Sequence, residues 1–177
     1  VTSLEFVVIG IHCCVATFSI FFNLLLLFVV FRYTPSSFST FGILLKFHVL
    51  TDLYAAIGGA LSMQRVIPLG WSLAYISYGP CGCLGPTACY ISCAMLIGGG
   101  CCSFYTVVAS FVFRLLVIEG KTPARRTAVS LIATISLPMP TLWTLMFSIT
   151  RGDDAIVRRI MDDIRPEYDA DSHVVTG

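Results

Sequence analysis

Residues 85–113 read GPTACYISCAMLIGGGCCSFYTVVASFVF, a run without one charged side chain. The stretch opens on Gly-Pro, and a proline belongs in the first turn of a helix, where its missing N–H has no acceptor to serve. From Pro86 to Phe113 the chain has 28 residues, about 42 Å of helix at 1.5 Å per residue. A bilayer's hydrocarbon core is roughly 30 Å thick, so this helix spans it and tilts or protrudes. Three further apolar runs flank it, at about 6–31, 41–63 and 127–149, each near the ~20 residues that a spanning helix needs.

Composition agrees with this reading. Hydrophobic residues make up 56% of the 177 and charged residues 12%, about half the charged share of an ordinary soluble domain. Backbone polar groups in lipid are satisfied only inside helices or closed barrels. The expected fold is therefore an all-α membrane protein with four transmembrane helices visible in one domain over residues 1–177. The first run lacks the basic leader and small-residue cleavage site of a signal peptide and reads as a helix. Residue 1 is Val1 and does not read as a translation start. A net charge of +1 gives no global field for nucleic acid or an anionic membrane surface, and no polybasic cluster of the phosphoinositide-binding kind appears.

Breakers separate the runs: Thr34-Pro35-Ser36-Ser37, a loop of about twenty residues from Gln64 to Gly85 carrying Pro68, Gly70, Gly79 and Pro80, and Gly120-Lys121-Thr122-Pro123. Arg151 to Gly177 holds seven acidic and four basic residues and reads as an aqueous tail. Within it Val157 to Met161, flanked by acid pairs, fits a short amphipathic helix, either a solvated face or a lid. Arg32, Lys46, Arg114, Lys121, Arg125 and Arg126 lie on one side of the membrane, against Arg65 in the short loop opposite and four arginines in the tail. Positive charge in short loops stays cytoplasmic. The expectation is an N-terminus, 64–85 loop and tail outside, with the 32–40 and 114–126 links inside.

Several polar positions stand out within the spans. Asp52 lies mid-span, where a carboxylate is costly enough to imply either a functional site or a contact joining helices. His48 is one turn before it on the same face, in hydrogen-bonding range. Asn23 is expected to hydrogen-bond across to the second span. Gly98-Gly99-Gly100 and Cys101-Cys102 form a small-residue surface for close helix packing, and the adjacent cysteines lack the spacing of a metal site. Outside the spans, Cys81 precedes the third helix, where a disulfide would pin the helix end; the alternatives are a free cysteine, a local pairing or use of Cys83. His12, His48 and His173 are the only histidines, and no catalytic motif, phosphate loop, metal site or cofactor site is legible.

SLAYISYGPC followed by GPTACY, the NLLLL step at Asn23, the TDL step at Asp52 and the tail's RPEYDADSHVVTG resemble the nematode serpentine receptor class delta chemoreceptors, a branch of the seven-helix G protein-coupled receptors. The resemblance implies an outside N-terminus, agreeing with the charge count, and a seven-helix bundle of which this chain is the N-terminal four-helix part, as a fragment or a truncated gene product. It also implies multi-pass residence in the plasma membrane of sensory neurons and an external small-molecule or peptide ligand near Tyr75, Tyr78, Tyr90 and Cys93. The remaining partners would be a heterotrimeric G protein and membrane lipid. Asp52, with Asn23 and His48, would belong to a core polar network. Arg114 falls where that receptor class has an acid-arginine-aromatic motif, but its neighbours are Phe113 and Leu115, so contact with a G protein and snorkelling to headgroups both remain open. Cys81 and Cys83 cannot readily bond each other across one residue. The Cys81 partner is expected beyond Gly177, leaving Cys81 a free thiol within this chain. The alternative function is a genuine four-span scaffold or transporter half, although the paired repeats of transporters are not visible.

Overall fold

The computed structural model describes residues 3–33, 39–69, 72–121, 123–164 and 174–176. Four helical segments in it are long and apolar enough to cross a membrane. Helices α1 (Ser3–Tyr33) and α2 (Ser39–Ser62) are continuous, and α3 (Pro86–Ile118) starts at the proline assigned to its first turn. α3 continues to Ile118 rather than stopping at Phe113, which places Arg114 inside the helix. Gly120 ends it: at φ 76° its N–H reaches the Val117 carbonyl and the Lys121 N–H reaches Leu116, both at 3.1 Å. This left-handed closure satisfies the last carbonyls and favours glycine.

The fourth span is interrupted. α4 (Arg125–Leu131) leads into one π turn (Ile132–Ser136) and then α5 (Pro138–Ile149). Pro138 and Pro140 have no N–H to give the carbonyls of Thr134 and Ser136, and a proline ring crowds the carbonyl four residues back. The backbone widens instead, with the Leu137 N–H bonded to the Ile132 carbonyl at 3.1 Å. The freed Ser136 carbonyl accepts from Cys102 Sγ at 3.3 Å, so this cysteine ties α3 to the distorted turn.

α3 is the central element, packed against α2, the π turn and α5. Its approach to α2 is backbone-close: a Cβ on Gly99 would stand 2.9 Å from that of Ala55, whereas one on Gly100 would meet nothing within 4 Å. At one end of the bundle Leu44, Ala109, Phe113, Ala128 and Ile132 form a buried core. Much of the remaining helix surface is apolar and open, with Phe6 67%, Phe18 61% and Phe104 68% exposed, as lipid-facing positions are in a spanning bundle.

The opposite end differs from the expected loop and aqueous tail. β1 (Gln64–Leu69) and β2 (Ser72–Ser77) pair antiparallel as a hairpin, with Gln64 opposite Ser77 and Leu69 opposite Ser72. β3 (Val174–Thr176), from the tail, pairs antiparallel with β2 and gives the order β1-β2-β3. Pro68 is tolerated because β1 is an edge strand. The tail helix α6 (Asp154–Ile164) packs on this sheet: Met161 joins Ile67, Ala74, Ile76 and Val175 in a buried cluster, flanked by Val157 and Tyr78. The amphipathic helix is thus a packed cover over the sheet, since burying Met161 and Val157 is worth more than leaving them in water. A tight turn, Pro80–Leu84, leads into α3.

Candidate functional site

Where the hairpin meets the bundle, side chains from α3, α5 and β2 converge. The Tyr90 ring stacks on Phe147 at 4.6 Å between centroids and 12° between planes, and Tyr75 meets the same Phe147 edge-on at 5.9 Å. The Tyr90 hydroxyl donates to the Phe147 carbonyl. That carbonyl lies in the last turn of α5, where no intrahelical N–H is available, so Tyr90 caps the helix end from a neighbouring helix. The Arg151 guanidinium carbon sits 5.2 Å over the other partner of the stack, the Tyr90 ring, and its nitrogens reach Thr87 Oγ1 at 3.2 Å and Asp154 at 2.8 Å. Arg151 therefore fastens the end of α5 to the first turn of α3 and the start of α6.

Cys93, nearly one turn below Tyr90, lies against this cluster, and the Gln64 side chain at the start of β1 reaches its thiol. Gln64 Oε1 is buried with no hydrogen-bond partner among the described residues. Burial, with Cys93 adding to it, pushes the Tyr75 phenol above its ordinary value. Of the four expected ligand contacts, Tyr75, Tyr90 and Cys93 come together, while Tyr78 packs instead on the sheet core. Phe147 and Gln64 escaped the sequence reading; only their closeness to the ends of a span and a strand hinted at them.

Cys81 is not a free thiol. It is bonded to Cys89, with the α-carbons 4.9 Å apart, and the expectation of a partner beyond Gly177 is corrected. The tight turn at Pro80–Leu84 doubles the chain back onto the first turn of α3, bringing two cysteines eight residues apart into bonding range. Cys83 remains free and exposed.

In mid-bundle, Ser103 of α3 joins the pair seen on α2. Its hydroxyl lies 3.1 Å from His48 Nδ1 and donates to Asp52 Oδ1, while His48 Nε2 stands 3.6 Å from Asp52 Oδ2. The close α2–α3 approach makes this three-membered contact possible. Asn23 does not join it across helices as expected: its amide donates to the Ser19 carbonyl one turn back in α1, at 2.9 Å. A polar side chain in lipid takes the nearest acceptor, and here its own helix supplies one.

The sequence model of the family described as serpentine type 7TM GPCR chemoreceptor Srd matches residues 8–177. The chain belongs to this family. Serpentine receptor class delta-1 of Caenorhabditis elegans is 28% identical over 160 residues, covering 90% of this chain and 43% of the relative. Class delta-3 from the same organism is 28% identical over 158 residues, 89% and 46% of the two chains, and class delta-2 is 25% identical over 154 residues, 86% and 42%. The chain thus spans less than half the length of these curated relatives. No solved structure matches it. As an Srd chain it is a multi-pass membrane protein of a seven-helix receptor family, and its four spanning helices fit that architecture. In this Srd chain Arg114 stands over the rings of Phe41 at 5.4 Å and Phe111 at 6.0 Å, beside a cleft of about 170 Å³ that His48 and Ser110 also line.

Proposed function

We propose that this chain contributes four helices to a chemosensory receptor that binds an external small molecule or peptide at the Tyr75–Tyr90–Phe147–Cys93 cluster and signals to an intracellular heterotrimeric G protein. The observation that carries the ligand site is this convergence of three aromatic rings under the hairpin, beside a buried Gln64 acceptor that lacks a partner among the described residues. Aromatic faces with one unmet acceptor suit an apolar or weakly polar ligand bearing a single O–H or N–H donor. In the proposed orientation the hairpin end faces outside and Arg114 faces the cytoplasm, as the short-loop charges favour. A ligand wedged at Phe147 bears on both α3 and α5. The π turn in the fourth span and the His48–Asp52–Ser103 contact are places where such a helix displacement could be absorbed or transmitted.

The test uses the full-length receptor in cells carrying a calcium or cyclic-nucleotide reporter, screened against a panel of volatile and water-soluble small molecules. For any agonist found, Tyr90→Ala and Gln64→Leu should each raise the half-maximal concentration about tenfold or more, with surface expression unchanged. An agonist whose potency ignores both substitutions would move the ligand site elsewhere.

A further inference from the structure

The end of the bundle opposite the hairpin gathers positive charge that the linear sequence scatters. Arg32, Lys46, Arg114, Lys121, Arg125 and Arg126 lie at this end against one acid, Glu119, whose carboxylate Lys121 takes at 2.8 Å. Lys46 and Arg125, 79 positions apart, line one cleft of about 260 Å³ with Thr40 and Ile43, and neither forms an ion pair among the described residues. The Lys46 ammonium is held 4.5 Å over the Phe31 ring. Arg125 is shared with a second cleft of about 520 Å³, which continues along the fourth span past Arg126, Val129, Ser130 and Ala133. A recess holding two cations and a hydroxyl, joined through one arginine to a largely apolar trough on the lipid-facing surface, has the two-part shape of a phospholipid.

We propose that this paired cleft binds an anionic phospholipid, with Lys46 and Arg125 on the headgroup phosphate, the Thr40 hydroxyl beside it, and an acyl chain laid against Val129 and Ala133. The physical case is one of matched environments. Two cations without counter-ions at the headgroup level are stabilised by phosphate, and each basic side chain near an anionic membrane surface contributes about a fivefold preference for it. An acidic protein segment would satisfy the cations but would leave the apolar trough to other lipid. The inference goes beyond receptor signalling and rests on the proposed orientation, in which this end meets the anionic cytoplasmic leaflet.

The experiment uses the full-length receptor in detergent, with retained lipid counted by native mass spectrometry. Phosphatidylinositol 4-phosphate is offered alongside phosphatidylcholine of the same acyl chains. The anionic lipid should be retained and phosphatidylcholine not. Lys46→Gln and Arg125→Gln should each reduce retention about fivefold, Lys46→Arg should preserve it, and Lys121→Gln should leave it unchanged. Arg125 is exposed, so Arg125→Gln carries the test should Lys46→Gln fold poorly. Equal retention of the two lipids, or equal loss with Lys121→Gln, would reduce the effect to general stickiness or general charge and overturn the site. Displacement of the lipid by millimolar inorganic phosphate would make it a free-anion site. Unchanged lipid retention with lost G protein coupling when Lys46→Gln and Arg125→Gln are combined would make the patch a protein-docking surface instead.

Discussion

Ser103 holds both partners of the α2 pair, so its hydroxyl is the hinge of that contact. Ser103→Ala removes that hydroxyl from His48 and Asp52, which are half-buried and still face each other at 3.6 Å, so the loss is that of an ordinary hydrogen bond, about 0.5–1.5 kcal/mol. The variant should melt several degrees lower in detergent, by tryptophan fluorescence or thiol-probe unfolding. Asp52→Asn keeps the shape and a hydrogen-bonding oxygen while removing the charge. It should change the ligand response of the full-length receptor while surface biotinylation stays at the parent level; an unaltered response would assign Asp52 to helix packing alone. Tyr90→Phe retains the stack on Phe147 but leaves its carbonyl with only the Thr150 hydroxyl, at 3.2 Å, a loss of about 1 kcal/mol. His48 and Asp52 could be paired from the sequence because four residues on one helix set their geometry. Ser103 could not, since only the register between α2 and α3 brings it there.

Between α2 and α3 the fit is set by absent side chains. Gly99→Ala would press a methyl to 2.9 Å from Ala55, and forcing such a contact costs about 1–3 kcal/mol, whereas Gly100→Ala enters open space. The two neighbouring substitutions should therefore diverge in thermal midpoint, Gly99→Ala falling and Gly100→Ala holding or rising; equal behaviour would contradict the packing. The glycine run was legible as a close-approach surface, but which glycine touches which helix was not. The helices themselves were legible because length and apolarity suffice to define a spanning segment. The strands were not: β1 holds a proline, and β3 has three residues and is paired only through residues about a hundred positions away. The Cys81–Cys89 bond was missed for a related reason, because the tight turn that makes eight residues short enough is invisible in a list of spacings.

Across the whole molecule, charge placement and packing divide the bundle into a basic end and a sheet-covered end. In a Cys83→Ser background, Asp153→Cys should react with a membrane-impermeant maleimide on intact cells, and Glu119→Cys only after permeabilisation; the reverse pattern would invert the proposed orientation. The sheet adds a constraint of a different sort, one of counting. β2 lies between the second and third spans and β3 follows the fourth, so exactly two membrane crossings separate strands that must lie side by side. An even number returns the chain to the face it left, and an odd number strands β3 on the wrong side. If the proline-interrupted fourth segment failed to cross, Val174–Thr176 would have no β2 to join and Met161 no sheet to cover. The three-residue strand thus acts as a parity check on insertion: its pairing is denied to any chain in which just one of the third and fourth segments has threaded the bilayer.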